Sequence, residues 1–130
     1  MDYNKAIFVF GSNISGLHGA GAARFALEYK GAVLRLAHGH QGQSYAIPTK
    51  DREIRETLPL EEIQEYVDNF IHYAKFNSLL TFQVTRIGCG LAGLTDDQVA
   101  PMFKEASDNC WFDEKWKPFL GERRNYWGTK

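Results

Sequence analysis

Three short segments of this chain carry residue types that can hold an anion or attack an electrophile. The first, Gly11-Ser-Asn-Ile-Ser-Gly-Leu-His-Gly-Ala-Gly-Ala-Ala-Arg24, leads from an apolar run into a helical pattern. A strand-to-helix junction presents unsatisfied backbone N–H groups and the positive end of the helix dipole, and glycines let the backbone come close to a phosphate. Asn13, His18, Gly19, Ala20 and Gly21 are its candidate contacts. The alternative is a tight turn whose glycines serve packing alone.

The second segment, Arg86-Ile-Gly-Cys-Gly-Leu-Ala-Gly-Leu94, repeats this character and contributes Gly88, Cys89, Gly90, Leu91, Ala92 and Gly93. Arg86 suits either a phosphate or a structural ion pair. Two such loops at neighbouring strand ends of an α/β sheet share one crevice and suit a diphosphate. The third segment, Gln43-Ser-Tyr-Ala-Ile-Pro-Thr-Lys50-Asp51, ends near the same crevice. Lys50 there reads as a nucleophile toward a sugar carbon or as an ordinary solvated lysine.

Several chemistries are disfavoured. Arg24 stands where a dinucleotide fingerprint needs its third glycine, and no Gly-Lys-Ser/Thr occurs anywhere. His38-Gly-His40 has the wrong spacing for two metal ligands on one helix face and lacks an acidic or cysteine partner. No metal and no separate cofactor is expected.

The positioning elements follow from pattern. Ala6–Phe10 reads as a strand buried on both faces, and Ala20–Lys30 as a helix stopped by Gly31. Ala32–Leu36 and Ser44–Pro48 read as the second and third strands, joined by a loop too short for a parallel crossover. A long helix starts near Leu58, its inner stripe running through Leu60, Ile63, Val67, Phe70, Ile71 and Ala74. Thr81–Arg86 is the fourth strand, and Thr95 with Gln98 forms a capping-box pattern for a third helix. Residues 110–130 hold all three tryptophans and read as an irregular tail anchored by Trp111, Trp116 and Phe119.

Alternating strands and helices make this an α/β chain, and 130 residues make one domain. A net charge of −1 leaves no broad basic field for nucleic acid. No run is long enough to span a membrane, no signal segment is evident, and two cysteines do not make a disulfide framework. A cytoplasmic location is the expectation; oligomeric state is not readable.

The three segments together resemble the macrodomain family. Gly19-Ala-Gly-Ala-Ala-Arg-Phe25 resembles its first phosphate loop, with the phenylalanine one place early. Arg86-Ile-Gly-Cys-Gly-Leu91 and Tyr45-Ala-Ile-Pro-Thr-Lys50 are similar to segments of the terminal ADP-ribose protein glycohydrolase branch. The resemblance covers roughly Ala6 to Phe103. It implies a site for ADP-ribose or an ADP-ribosylated substrate, with Lys50 as the nucleophile toward the distal ribose. It also implies a mixed sheet of about four core strands in the order 4-1-3-2, flanked by three helices. Three departures accompany it. The branch's acid after Gly-Cys-Gly-Leu is Ala92 here, with Asp51, Asp96 and Asp97 as the nearest substitutes. The first strand, whose Gly-Asp recognises adenine, and the final strand have no evident counterpart, so the tail is expected to cover their places. A binder without turnover, and a structural protein whose glycines only pack, are the rival readings.

Overall fold

The structure, a computed structural model, describes residues 1–129. Its centre is β1 (Ile7–Asn13), which pairs in parallel with β3 (Ser44–Lys50) on one side and β4 (Phe82–Val84) on the other. A strand in that position has no wet face. Ile7 and Val9 join one buried cluster while Phe8 and Phe10 join another, so the run is apolar without alternation.

The smaller cluster lies beneath α1 (Gly21–Tyr29), whose Ala23 and Ala26 allow close approach to Phe8 and Phe10. The larger lies beneath α2 (Leu60–Phe76). Phe70 is fully buried there, with the rings of Tyr45, Phe82 and Phe103 at 5.1, 5.3 and 6.1 Å. Truncating such a ring typically costs about 3–5 kcal/mol. The expected stripe forms except for Leu60, which lies exposed at the helix start, while Leu58 just before it is buried. The capping box of Thr95 and Gln98 is present at the start of α3 (Asp96–Val99), which runs on into a 3₁₀ turn, Ala100–Phe103.

The sheet differs from the expected four strands. Among the described residues it has six, in the order β2-β3-β1-β4-β5-β6, and four helices accompany it instead of three. β2 is Gly39–Gln41, antiparallel to β3, and not Ala32–Leu36. Residues 32–36 form turns because their backbone is taken up elsewhere. The Val33 N–H donates to the Gln41 Oε1 at 2.8 Å, and the Arg35 N–H to the Gly16 carbonyl at 2.9 Å. Arg35 itself has a φ of 74°, which no strand tolerates.

The tail is not irregular. β5 (Cys110–Asp113) pairs in parallel with β4, and β6 (Asn125–Gly128) in parallel with β5. Between them lie a 3₁₀ turn, Glu114–Trp116, and α4 (Lys117–Leu120). Trp116 is the true anchor: it is fully buried, with Phe103 and Phe112 at 5.4 and 6.2 Å. Trp111 is only half-buried and Phe119 is exposed. Arg124 donates to the carbonyls of Ala106 and Lys104 and thereby fixes the return into β6. No helix among the described residues is long and apolar enough to cross a membrane.

Candidate functional site

The carboxyl ends of β1, β3 and β4 open onto a cleft of about 760 Å³, within the range of small-molecule sites. The first glycine segment forms one wall. Its helix begins at Gly21 after Ala20, a residue with no side-chain oxygen to cap it. The backbone amides of Ala20, Gly21, Ala22 and Ala23 donate to no acceptor among the described residues, and these four residues line the cleft. This nine-residue helix turns an uncapped start, with free donors and the positive end of its dipole, toward the cavity. α3 is the internal contrast, because Thr95 and Gln98 close its first turn.

The second segment forms the opposite wall. The amides of Gly88, Gly90, Leu91 and Ala92 likewise find no acceptor among the described residues. The turn itself is held by Leu94 N–H to the Gly88 carbonyl at 2.9 Å and Gly93 N–H to the Gly90 carbonyl at 3.0 Å. The Thr57 Oγ1 donates to the Ala92 carbonyl at 2.6 Å, and Thr57 also bridges to Lys50, so this loop and the end of β3 are tied together.

The glycines divide into two kinds. Gly88 is structural: its φ is 77° and a Cβ would meet Leu94 Cδ1 at 2.8 Å. Gly19 and Gly90 have ordinary φ values, and a Cβ on either would enter open space. Neither folding nor packing requires glycine at those two positions. The space each leaves belongs to the cleft.

The expected contacts separate on inspection. Asn13 lines the cleft, but its side chain holds the loop: Nδ2 donates to the Leu17 carbonyl at 2.9 Å, and Oδ1 accepts from Leu17 N–H and Ser15 Oγ. His18 is fully buried and lies outside the lining. Its Nε2 faces the Val33 carbonyl at 3.0 Å and Gln41 Oε1 at 3.2 Å, which places the proton on that nitrogen, while Nδ1 faces Ser12 Oγ. His18 therefore fastens the loop to residues 33–41 and is not a ligand contact. Gly93 also stays outside the lining, serving the turn at a φ of 75°. Gly19, Ala20, Gly21, Lys50 and residues 88–92 are brought together.

Lys50 is half-buried, and its ammonium has no hydrogen-bond or ion-pair partner among the described residues. Arg86 is committed: its Nε and Nη2 donate to the two Asp96 oxygens at 2.9 and 2.7 Å. The Trp116 Nε1 donates to the same carboxylate at 2.8 Å. The Arg86 fork, assisted by Trp116, draws the Asp96 carboxyl down to about 2. Asp51 accepts from the Arg55 N–H at 2.9 Å, a bond that lowers its pKa, and Asp97 is exposed. None of the three substitutes lines the cleft.

Cys89 lines the cleft with its thiol pushed up to about 12, first by burial and then by the Asp96 carboxylate. It is a neutral wall and not a nucleophile. Alkylation by iodoacetamide at pH 7.5 should run at least about 100-fold slower than with an ordinary thiol of pKa near 8.5. A rate near that of free cysteine, read by mass spectrometry of the Cys89 peptide, would contradict this.

Two lining residues come from the tail, which the sequence pattern did not mark. Among the described residues, Asp113, which ends β5, is the only carboxylate in the lining, and Trp127 in β6 the only aromatic ring. The available signal was Cys110-Trp-Phe-Asp113, a short apolar run ending in a polar residue much as Ile47-Pro-Thr-Lys50 does. Asp113 lies three strand spacings from Lys50, about 14 Å across the sheet. It is also several rows lower, since Phe112 shares a row with Val84, Val9 and Tyr45. It is therefore no proton partner for the Lys50 amine.

Among the described residues no group of three or more histidine, cysteine or acidic side chains is placed to hold a metal. No protein-family model matches the sequence, and no curated protein matches it significantly. Among solved structures, the fold is similar to that of Thermosipho africanus DarTG in complex with ADP-ribose, with a TM-score of 0.60 at 16% identity. The match covers 83% of this chain and 38% of that one. The likeness is one of fold, and the fold of this chain is macrodomain-like.

Proposed function

We propose that this chain binds an ADP-ribose-type ligand, its diphosphate held between the amides of residues 20–23 and those of Gly88 and residues 90–92. The observation that carries this reading is the pairing of two sets of unsatisfied amides across one cleft, with open space at Gly19 and Gly90. Backbone donors suit the purpose because they bring no net charge and cost no side-chain ordering. The ADP-ribose in the similar DarTG structure supports the choice of ligand. Titration calorimetry with ADP-ribose tests it, and absence of any binding heat or competition would sink the reading.

Gly19→Val and Gly90→Val sharpen the test. Each should fold with a melting temperature close to that of the parent, because the Cβ that begins the added side chain has no neighbour within 4 Å. Each should also weaken ADP-ribose by about tenfold or more, through loss of close backbone approach. Unchanged affinity in both variants would return these glycines to a packing role.

Lys50, at the end of β3 in the cleft lining, is the proposed nucleophile for ADP-ribosyl hydrolysis. Its neutral Nζ would form a bond to the anomeric carbon as the linkage to the carried group breaks. The departing group keeps the bonding pair and takes up a proton. Water then cleaves the N–C bond and restores the amine. A second reading, binding without turnover, is favoured by Ala92, by Asp51 lying outside the cleft lining and by the distance of Asp113 from Lys50.

A further inference from the structure

One stretch of the cleft wall is built against backbone preference. After β3 the chain turns through residues 51–56 and comes back antiparallel to its own strand end. The Leu58 N–H donates to the Thr49 carbonyl at 2.8 Å, Lys50 bridges to Thr57, and the Asp51 N–H donates to the Glu56 carbonyl at 2.9 Å. The bond from Thr57 Oγ1 to the Ala92 carbonyl anchors this hairpin to the second glycine loop. Near its tip stands Ile54, with a φ of 60°. That left-handed region suits glycine or asparagine, and a β-branched residue in it is an outlier. Asp51 holds the conformation: its carbonyl accepts from the Ile54 N–H at 3.1 Å, and its Oδ1 from the Arg55 N–H at 2.9 Å.

The turn gains nothing from isoleucine at this point, and neither does the core. Ile54 is 38% exposed and belongs to neither buried cluster. Arg52, Glu53, Arg55 and Glu56 are exposed and lie outside the cleft lining, whereas Ile54 lines it together with Lys50. The hairpin thus gives its one apolar side chain to the cleft and its charges to solvent. Strain of this kind persists where the surrounding structure imposes it, and it collects at sites that clamp a ligand. An aliphatic group has nothing to offer a phosphate. It suits the C–H face of a sugar, and burying it there stabilises the complex.

We infer that Ile54 is a specificity-determining residue, which packs on the carbon face of the sugar that the diphosphate carries toward Lys50. Its contact makes the cleft prefer a nucleoside diphosphate bearing this second sugar over one that ends at the phosphate. The inference rests on the cleft reading above and adds which residue outside the glycine loops reads the ligand's far end.

The test pairs thermal melting with calorimetry on two probes, ADP-ribose and ADP, which has the same base, first ribose and diphosphate. The parent should prefer ADP-ribose by about tenfold. Ile54→Asn puts a residue tolerant of positive φ at the tip and should melt at or above the temperature of the parent. It should nonetheless weaken ADP-ribose by about tenfold and ADP by less than about twofold. Ile54→Gly should lose the same preference, and Ile54→Val, which keeps an aliphatic contact, should bind ADP-ribose within about threefold of the parent. Selectivity lost without loss of stability cannot come from general loosening of the fold. Unchanged ADP-ribose affinity in Ile54→Asn, or equal weakening of the two probes at any melting temperature, overturns the role of Ile54 and leaves the cleft reading standing. Failure of the parent to bind ADP-ribose overturns both.

Discussion

Replacing Lys50 by alanine is expected to slow ADP-ribosyl release by about 100-fold or more while changing ADP-ribose affinity by less than about threefold. The split follows from how the cleft divides its labour. In the proposed site, phosphate contacts come from backbone amides that the substitution does not touch, whereas the proposed attacking nitrogen is removed outright. Were Lys50 instead a phosphate anchor, affinity would fall and the rate at saturation would persist. Lys50→Arg separates charge from nucleophilicity. It keeps the cation at the end of β3, but a guanidinium stays protonated and cannot attack. That variant should bind as well as the parent and be as slow as the alanine variant. Turnover equal to that of the parent in either variant would remove Lys50 from the chemistry. A parent that binds ADP-ribose and turns over no ADP-ribosylated substrate would establish the binding-only reading.

The candidate site was legible in the sequence where structure is local. An apolar run, a glycine-rich turn and a helical pattern determine where amides become exposed, so the two loops could be read from residue types alone. His18 escaped because the same histidine beside a glycine loop serves equally well as a contact or as an internal strut. Only the positions of Val33 and Gln41, 15 and 23 residues away, decide between them. The tail escaped for a different reason. β5 and β6 are four residues each, too short to display a period, and what makes them strands is the open edge of β4. Arg124 and Trp116 hold the connection between them through contacts that sequence spacing does not reveal. Residues 32–36 show the converse, since their composition favours a strand while Gln41 and Gly16 claim their amides. The edge that was expected to be merely covered is in fact extended by two strands, and these bring Asp113 and Trp127 to the cleft.

Asp96 should prove to be a structural residue, and its removal should be among the costliest single changes in the chain. Its carboxylate joins Arg86 at the end of β4 to Trp116 in the turn after β5, so one group ties the second glycine loop to the tail. Both members of the ion pair are about one-quarter exposed, so solvent screens part of the attraction, and about 1–2 kcal/mol is a reasonable share for the charge itself. Asp96→Ala also leaves a mostly buried guanidinium and the N–H of a fully buried indole without an acceptor, raising the expected loss to about 2–4 kcal/mol by denaturant titration. The pH dependence has a definite sign. The folded-state pKa, about 2, lies below the unfolded value of about 3.9, so the contribution is complete above about pH 4. It is lost as pH falls from there through 2. Asp96→Asn, which keeps an acceptor for Trp116, should be less stable than the parent at pH 7 and should lack this part of the acid-limb slope. The same variant decides whether Asp96 replaces the acid missing at Ala92. Its side chain is turned to Arg86 and Trp116 and lies outside the cleft lining, so the folded asparagine variant should retain ADP-ribose affinity and turnover within a few-fold. A 100-fold loss of turnover at unchanged stability and affinity would instead make Asp96 a general base in the reaction, held ionised by Arg86.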